Sequence, residues 1–201
     1  MKTPVPVTLS SADVRLEPLT LAHVPALARV GLDPALWGWI PNPITSADEM
    51  HAYVLTALDE QQRGVALPFA IVDAASDSVI GSTRFAAIDV RNRRLEIGWT
   101  WLARSHQRTR ANTAAKRLLL GHAFDALGAN RVELKTDALN EKSRNAIGRI
   151  GGVQEGILRQ HVVCASGRIR DTVYFSILAS EWPAVRARLD DRLASPSTLA
   201  S

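Results

Sequence analysis

The chain has 201 residues, 22% of them charged and 46% hydrophobic, and carries a formal net charge of +4. That length buries a full core without disulfide or metal staples, the composition excludes a disordered chain, and a single cysteine, Cys164, excludes an internal disulfide. The positive balance favours polyanionic ligands, with nucleic acid, anionic membrane and nucleotide-type cofactors all compatible. No apolar run approaches the roughly 18 residues of a membrane span. The proline-broken start Met-Lys-Thr-Pro-Val-Pro supplies no signal-peptide core. The expectation is therefore a cytoplasmic protein with no membrane partner.

Residues 1–12 are small, polar and proline-containing, and read as a flexible lead-in. One domain is expected over 13–194, with a Ser/Pro/Ala tail over 195–201. The first strand is expected at Val14–Pro18. Thr20 is placed to cap a helix over Ala22–Val30, ended by Gly31 and Pro34. Ser46 precedes a longer helix over Ala47–Arg63, with Met50, Val54, Leu55 and Leu58 at helical spacing and Gly64 as its stop. Pro68–Val72 and Ser78–Phe85 read as a hairpin around Asp-Ala-Ala-Ser-Asp.

The stretch from Leu95 to Leu127 is the centre of the pattern. Alternation puts Leu95, Ile97, Trp99 and Trp101 on one strand face and Glu96, Gly98 and Thr100 on the other. A glycine-free loop from Arg104 to Asn112, with three arginines and a glutamine, runs into a helix over Thr113–Leu127 that Gly128 ends. A helix start offers free N–H groups and the positive end of a dipole, so the loop reads as a phosphate-holding turn; the alternative is a solvated basic turn. Arg131–Thr136 follows as a strand, with Val132 and Leu134 inward, and strand–helix–strand implies parallel pairing. Asn140 is placed to cap a helix over Glu141–Ile150, before two strands, Gly156–Val163 and Ile169–Leu178, around Ser166-Gly167, and a last helix over Glu181–Leu193.

This element order, with EIGW at 96–99, NRVELKTDALNEKS at 130–143, EGILRQHVV at 155–163 and RDTVYFSILASEW at 170–182, resembles the GNAT superfamily of N-acetyltransferases. Within it, the likeness is to the ribosomal-protein alanine N-acetyltransferase group. The resemblance implies an α/β fold with a mostly antiparallel mixed sheet, splayed at one parallel strand pair, and helices on both faces. It implies acetyl-CoA as co-substrate and direct transfer of the acetyl group to a primary amine, either a small molecule or a protein N-terminus. The family's loop pattern has small residues where Arg110 and Asn112 stand here. Asparagine tolerates the left-handed conformation, and an arginine guanidinium offers a bidentate phosphate contact.

Carried onto this chain, the resemblance assigns the pyrophosphate to Gln107, Arg108, Thr109, Arg110, Ala111, Asn112 and Thr113. It assigns the pantetheine arm and thioester to backbone groups of Trp101 and Leu102, to Asn140 and to Ser143. Glu96 is either the base that takes the amine proton or a charge paired with Arg84 or Arg94. Asn140 and Ser143, three apart, also fit a helix cap. The family's proton-donating tyrosine is missing from Asn145-Ala146-Ile147, leaving Ser143 or a water as donor. Trp37 and Trp39 line the acceptor pocket or fill core, and Arg84, Arg159 and His161 are further acceptor-side candidates. Cys164 reads as a strand-core filler rather than a nucleophile. The five histidines lack ligand spacing, so no metal is expected. The rival reading is a non-catalytic module of the same fold that binds protein or nucleic acid. Nucleic acid is disfavoured because no basic segment is interleaved with aromatics. A second copy of the chain is admitted as a partner.

Overall fold

The computed structural model describes residues 1–195. Among them, one sheet contains β1 (Leu9–Ser10), β2 (Val14–Pro18), β3 (Leu67–Asp73), β4 (Val79–Asp89), β5 (Arg94–Leu102), β6 (Arg131–Asp137), β7 (Val153–Val163) and β8 (Ile169–Leu178). Its strand order is β1-β2-β3-β4-β5-β6-β8-β7. All neighbours are antiparallel except β5 and β6, which run parallel, as the strand–helix–strand order requires. The helices are α1 (Val24–Gly31), α2 (Ala47–Gln62), α3 (Ala111–Gly121), α4 (Glu141–Arg149) and α5 (Trp182–Ala194). This is the mixed α/β architecture expected, with helices on both faces.

Local chemistry sets the helix ends. Ser46 Oγ accepts from Glu49 N at 3.1 Å while the Glu49 carboxylate accepts from Thr45 N at 2.6 Å, so the start of α2 is tied from both sides. Gly64 ends α2 at φ +74. Pro25 cannot donate to the turn before it, so the expected helix from Ala22 becomes a 3-10 turn, Leu21–His23, followed by α1 from Val24. The helix expected to run to Leu127 is α3 to Gly121 and then a π-helical turn, His122–Ala126.

Two apolar cores lie on opposite faces of the sheet. The larger joins Leu16, Phe69, Phe85, Leu95, Ile97 and Val132 to Leu119 and Leu120 of α3 and Leu189 of α5. The smaller joins Leu27, Met50 and Val54 of α1 and α2 to Trp37, Ala70 and Trp101. The lead-in expected over 1–12 is tied to the body. Leu9 pairs with Leu16, Lys2 N donates to Leu127 O at 2.8 Å, and Met1, Val7 and Leu9 pack on the larger core, because their apolar surface outweighs the proline punctuation. Of the expected tail, Ser195 follows α5 and 196–201 lie outside the described residues. No described helix is long and apolar enough to cross a membrane.

The alternation along β5 fails at its centre. Arg84 pairs with Gly98 and Ser82 with Trp101, so β5 carries one residue more than β4, and Trp99 takes φ +52. This bulge exchanges faces. Leu95 and Ile97 belong to the larger core, Trp101 to the smaller, and Trp99 is 43% exposed. The bulge demands a close approach at Gly81, where an added Cβ would lie 2.1 Å from the Trp101 carbonyl oxygen. Gly81→Ala is therefore expected to destabilise the chain by about 2 kcal/mol, roughly 4–8 °C in melting temperature, in a thermal unfolding comparison.

Candidate active site

The parallel ladder between β5 and β6 is three residues long: Arg94 with Arg131, Leu95 with Val132 and Glu96 with Glu133. Beyond Glu96 the strands part. The inward edges of Ile97–Leu102 and Leu134–Asp137 then face a gap in the middle of the sheet, with backbone groups unmatched across it. Glu96 stands at the fork, 8% exposed, and its Oε2 lies 2.6 Å from Lys135 Nζ of β6. Neither arginine offered as its partner takes that role: Arg84 pairs with Glu60 of α2, and Arg94 with Asp89 and Glu133. Burial works against the Lys135 charge, but the Glu96 carboxylate and the Tyr174 hydroxyl outweigh it and hold the ammonium above its ordinary range.

Past the end of β5, a short turn, Arg104–His106, leads into the loop. Arg108 takes the left-handed conformation at φ +63, whereas Arg110, which stands at a glycine position of the family pattern, is helical at φ −68. Glycine is thus not needed at 110 for conformation. The Arg110 guanidinium pairs with Asp13, Nε to Oδ1 at 3.0 Å, and donates to the Leu193 carbonyl, so the bidentate phosphate role expected for it is taken by contacts within the chain. The N–H groups of Arg108, Thr109, Arg110, Asn112 and Thr113 make no hydrogen bond to the described residues. Ala111 N is held by Thr109 Oγ1 at 3.2 Å. A run of free donors at the start of an eleven-residue helix fits an anionic diphosphate.

Gln107 ties the loop to both sides of the fork, donating from Nε2 to the Leu102 carbonyl at 3.0 Å and accepting from Lys142 Nζ of α4 at 2.5 Å. Asn140 caps α4, its Oδ1 accepting from Ser143 N at 3.0 Å, and Ser143 is half-buried beside it. Trp101 and Leu102 are buried, so their side chains are core and only their backbone is left for a ligand.

The acceptor-side candidates separate. Trp37 is core: 4% exposed, its Nε1 donates to Gly31 O at 2.7 Å and its ring packs on Trp101. Trp39 is exposed beneath the Arg168 guanidinium. Arg84, 1% exposed, lies between the rings of Tyr53 and Trp99 at 5.0 and 4.7 Å from their centroids. His161 meets Tyr174 edge-on, while Arg159 is exposed on β7 and forms no ion pair with the described residues. Cys164 is buried at the hairpin tip rather than within a strand.

These features together describe a split sheet with a carboxylate at the fork and an anion cradle at its mouth. A profile of the acetyltransferase (GNAT) domain matches residues 13–153. The chain belongs to the GNAT acetyltransferase family. It is an acyltransferase, similar to the uncharacterised N-acetyltransferase p20 of Bacillus licheniformis, at 29% identity over 87% of this chain and 98% of the relative. YdaF of Bacillus subtilis (strain 168), named as a candidate ribosomal N-acetyltransferase, is 38% identical over 52% of this chain and 56% of its own length. A crystal structure of a GCN5-related N-acetyltransferase from Brucella melitensis superposes with a TM-score of 0.89 at 33% identity, covering 99% of this chain and 90% of that one.

One buried lysine, on the α3 face of β5, lies outside the site residues expected from the sequence. Lys116, on the second turn of α3, is 6% exposed, and its Nζ donates to Thr100 Oγ1 of β5 at 2.7 Å. Burial pushes its ammonium down to about 7, with the Glu96 carboxylate acting in the other direction. The signal was present, since Lys116 falls on the same helix stripe as Leu119, Leu120 and Ala123, where a lysine is out of place. Because the folded-state pKa lies below the unfolded one, the unfolded chain binds the extra proton between about pH 7 and 10. This group's contribution to stability therefore rises with pH across that window. Lys116→Met is expected to melt above the parent at pH 7, by a few kcal/mol in stability, with the gap closing toward pH 10. Thermal unfolding at the two pH values checks it.

Proposed function

We propose that this GNAT chain moves the acetyl group of acetyl-CoA to a primary amine by direct attack, with a protein N-terminus as the acceptor class. The observation that carries the reading is the fork itself: two parallel strands part beside a buried carboxylate and open toward a loop of free N–H groups. Bound there, acetyl-CoA supplies an activated thioester. The donors of Arg108 to Thr113 hold its diphosphate, joined by the dipole of α3. The unmatched edge of β5 near Trp101 and Leu102 hydrogen-bonds the extended arm as an added strand would. Asn140 and Ser143 close the other wall.

An acceptor ammonium must lose a proton before its nitrogen can attack. Glu96 takes that proton, and Lys135 keeps the carboxylate oriented into the fork through its 2.6 Å contact. Strand-edge N–H groups aimed into the gap stabilise the carbonyl oxygen as charge builds on it. The acceptor approaches over Trp99, which the bulge turns outward, and Arg84 braces that ring from behind. The protein N-terminus is supported by the likeness to YdaF and by an approach left open at the surface.

Glu96→Gln is expected to lower thiol release from acetyl-CoA with an N-terminal peptide by roughly 10²–10⁴-fold at pH 7. The deficit should shrink as pH rises and the acceptor deprotonates unaided. Thiol release followed across pH 6–9 checks it, and an unchanged rate at pH 7 removes Glu96 from the role.

A further inference from the structure

The sheet face that bears Glu96 runs on across β6 and β8. Ladder pairing sets Glu96 beside Glu133, Lys135 beside Tyr174 and Asp137 beside Thr172, while the alternating Val132, Leu134, Val173 and Phe175 belong to the larger core on the other face. Arg170, two residues before Thr172, therefore shares the face of Glu96. Direct contacts agree: Glu96 meets Lys135, Lys135 Nζ lies 5.2 Å from the Tyr174 ring centre, and Arg170 Nε lies 3.9 Å from Asp137 Oδ2. One end of this face is arched over. At the tip between β7 and β8, Ala165 N donates to Pro41 O at 2.9 Å, and the Arg168 guanidinium lies over the ring of Trp39 in the same α1–α2 loop.

Beside that arch the charges do not balance. Asp137 is almost wholly buried and accepts from Leu139 N and from Arg168, the residue that holds the tip to Trp39. Arg170 Nε lies beyond hydrogen-bond reach of the same carboxylate and is buried without a partner. Its two terminal nitrogens form no hydrogen bond with the described residues and are not covered, although the side chain as a whole is only 12% exposed. Elsewhere on the face, Glu96 is matched by Lys135, Glu133 by Arg94 and Arg131, and Arg84 by Glu60. One guanidinium is left over. Burial pulls its charge below the ordinary arginine range, and the Asp137 carboxylate does not restore it. Open donors on a half-buried guanidinium suit a planar anion. With the acceptor nitrogen at Glu96, the space by Asp137 falls to the residues that follow it. Asp137 stands two strand residues beyond Lys135, about 7 Å, and an extended acceptor advances about 3.4 Å per residue. We propose that Arg170 binds a carboxylate on the second or third residue of the acceptor, so that the chain selects protein N-termini that begin with an acidic segment.

This inference rests on the proposed acetyl transfer to a protein N-terminus, and one experiment keeps the two apart. Thiol release from acetyl-CoA is followed with three peptides that differ only at positions two and three, where they carry Glu, Gln or Lys, and with free glutamate as a small amine that also bears a carboxylate. The parent is expected to use the Glu peptide with a kcat/KM roughly 10–100-fold above the Gln peptide, the worth of a hydrogen bond between charged groups, with the difference in KM rather than kcat. Arg170→Gln should bring that ratio close to one, Arg170→Lys should keep part of it, and Arg170→Glu should turn the preference toward the Lys peptide. A ratio measured on one variant is independent of how much of that variant is folded. Equal use of the Glu and Gln peptides by the parent, or a preference that survives Arg170→Gln, overturns the role of Arg170. Turnover of free glutamate and of no peptide overturns the protein N-terminus as acceptor; the carboxylate role of Arg170 then stands if Arg170→Gln abolishes that turnover and falls if it does not. No thiol release with any acceptor overturns the acetyl-transfer reading, and the role of Arg170 with it.

Discussion

The structure depends on a ladder that stops after three residue pairs. In an uninterrupted sheet every inner strand satisfies its backbone groups on both sides, and a strand edge left unmatched inside a protein carries the cost of buried, unpaired amides. Here β5 and β6 part beyond Glu96 and Glu133, just before the bulge at Trp99 where β5 carries one residue more than β4. A bulge adds local twist to the strand that carries it. Everything at the site follows from that parting. Glu96 comes to the fork, Trp99 is turned to solvent, and the helix after the loop starts at the mouth of the gap.

The charges around β5 share one character: each is buried further than its chemistry favours. Arg84 is covered almost completely, between two aromatic rings and Glu60; Glu96 is covered with Lys135 against it; Lys116 is covered with only a hydroxyl. A stability-optimised chain would replace such groups with apolar ones of similar volume. Arg84 and Glu96 lie on the same face of the sheet as the left-handed Trp99, a grouping of buried charge and unusual backbone that secondary-structure formation alone does not call for.

Much of this was legible in the residues. β2 spans Val14–Pro18 as expected, α2 starts after Ser46 and stops before Gly64, and Asn140 caps α4. These are local signals, read within a turn or two of chain. The signals that failed were non-local or disguised. Leu95, Ile97, Trp99 and Trp101 kept a perfect alternation through a bulge, because tryptophan suits both a core face and an exposed platform. Arg110 found its partner 97 residues away in Asp13, and Glu96 found Lys135 on the neighbouring strand, pairings that spacing does not encode. The absence of a glycine at 110 carries no conformational cost, because the left-handed residue is Arg108 and position 110 is helical. Lys116 is legible as a break in the apolar stripe of α3 formed with Leu119, Leu120 and Ala123.

The most direct test of the central claim, that the parting of β5 and β6 receives the acetyl donor, is amide hydrogen exchange with and without acetyl-CoA. Protection should appear along Ile97–Leu102 on the inner edge of β5, across Arg108–Thr113 and at the start of α4 around Asn140–Ser143. The outer strands β1 and β7 should be unchanged. Exchange that is unaltered at the fork and loop, or protection confined to another part of the surface, would contradict the account.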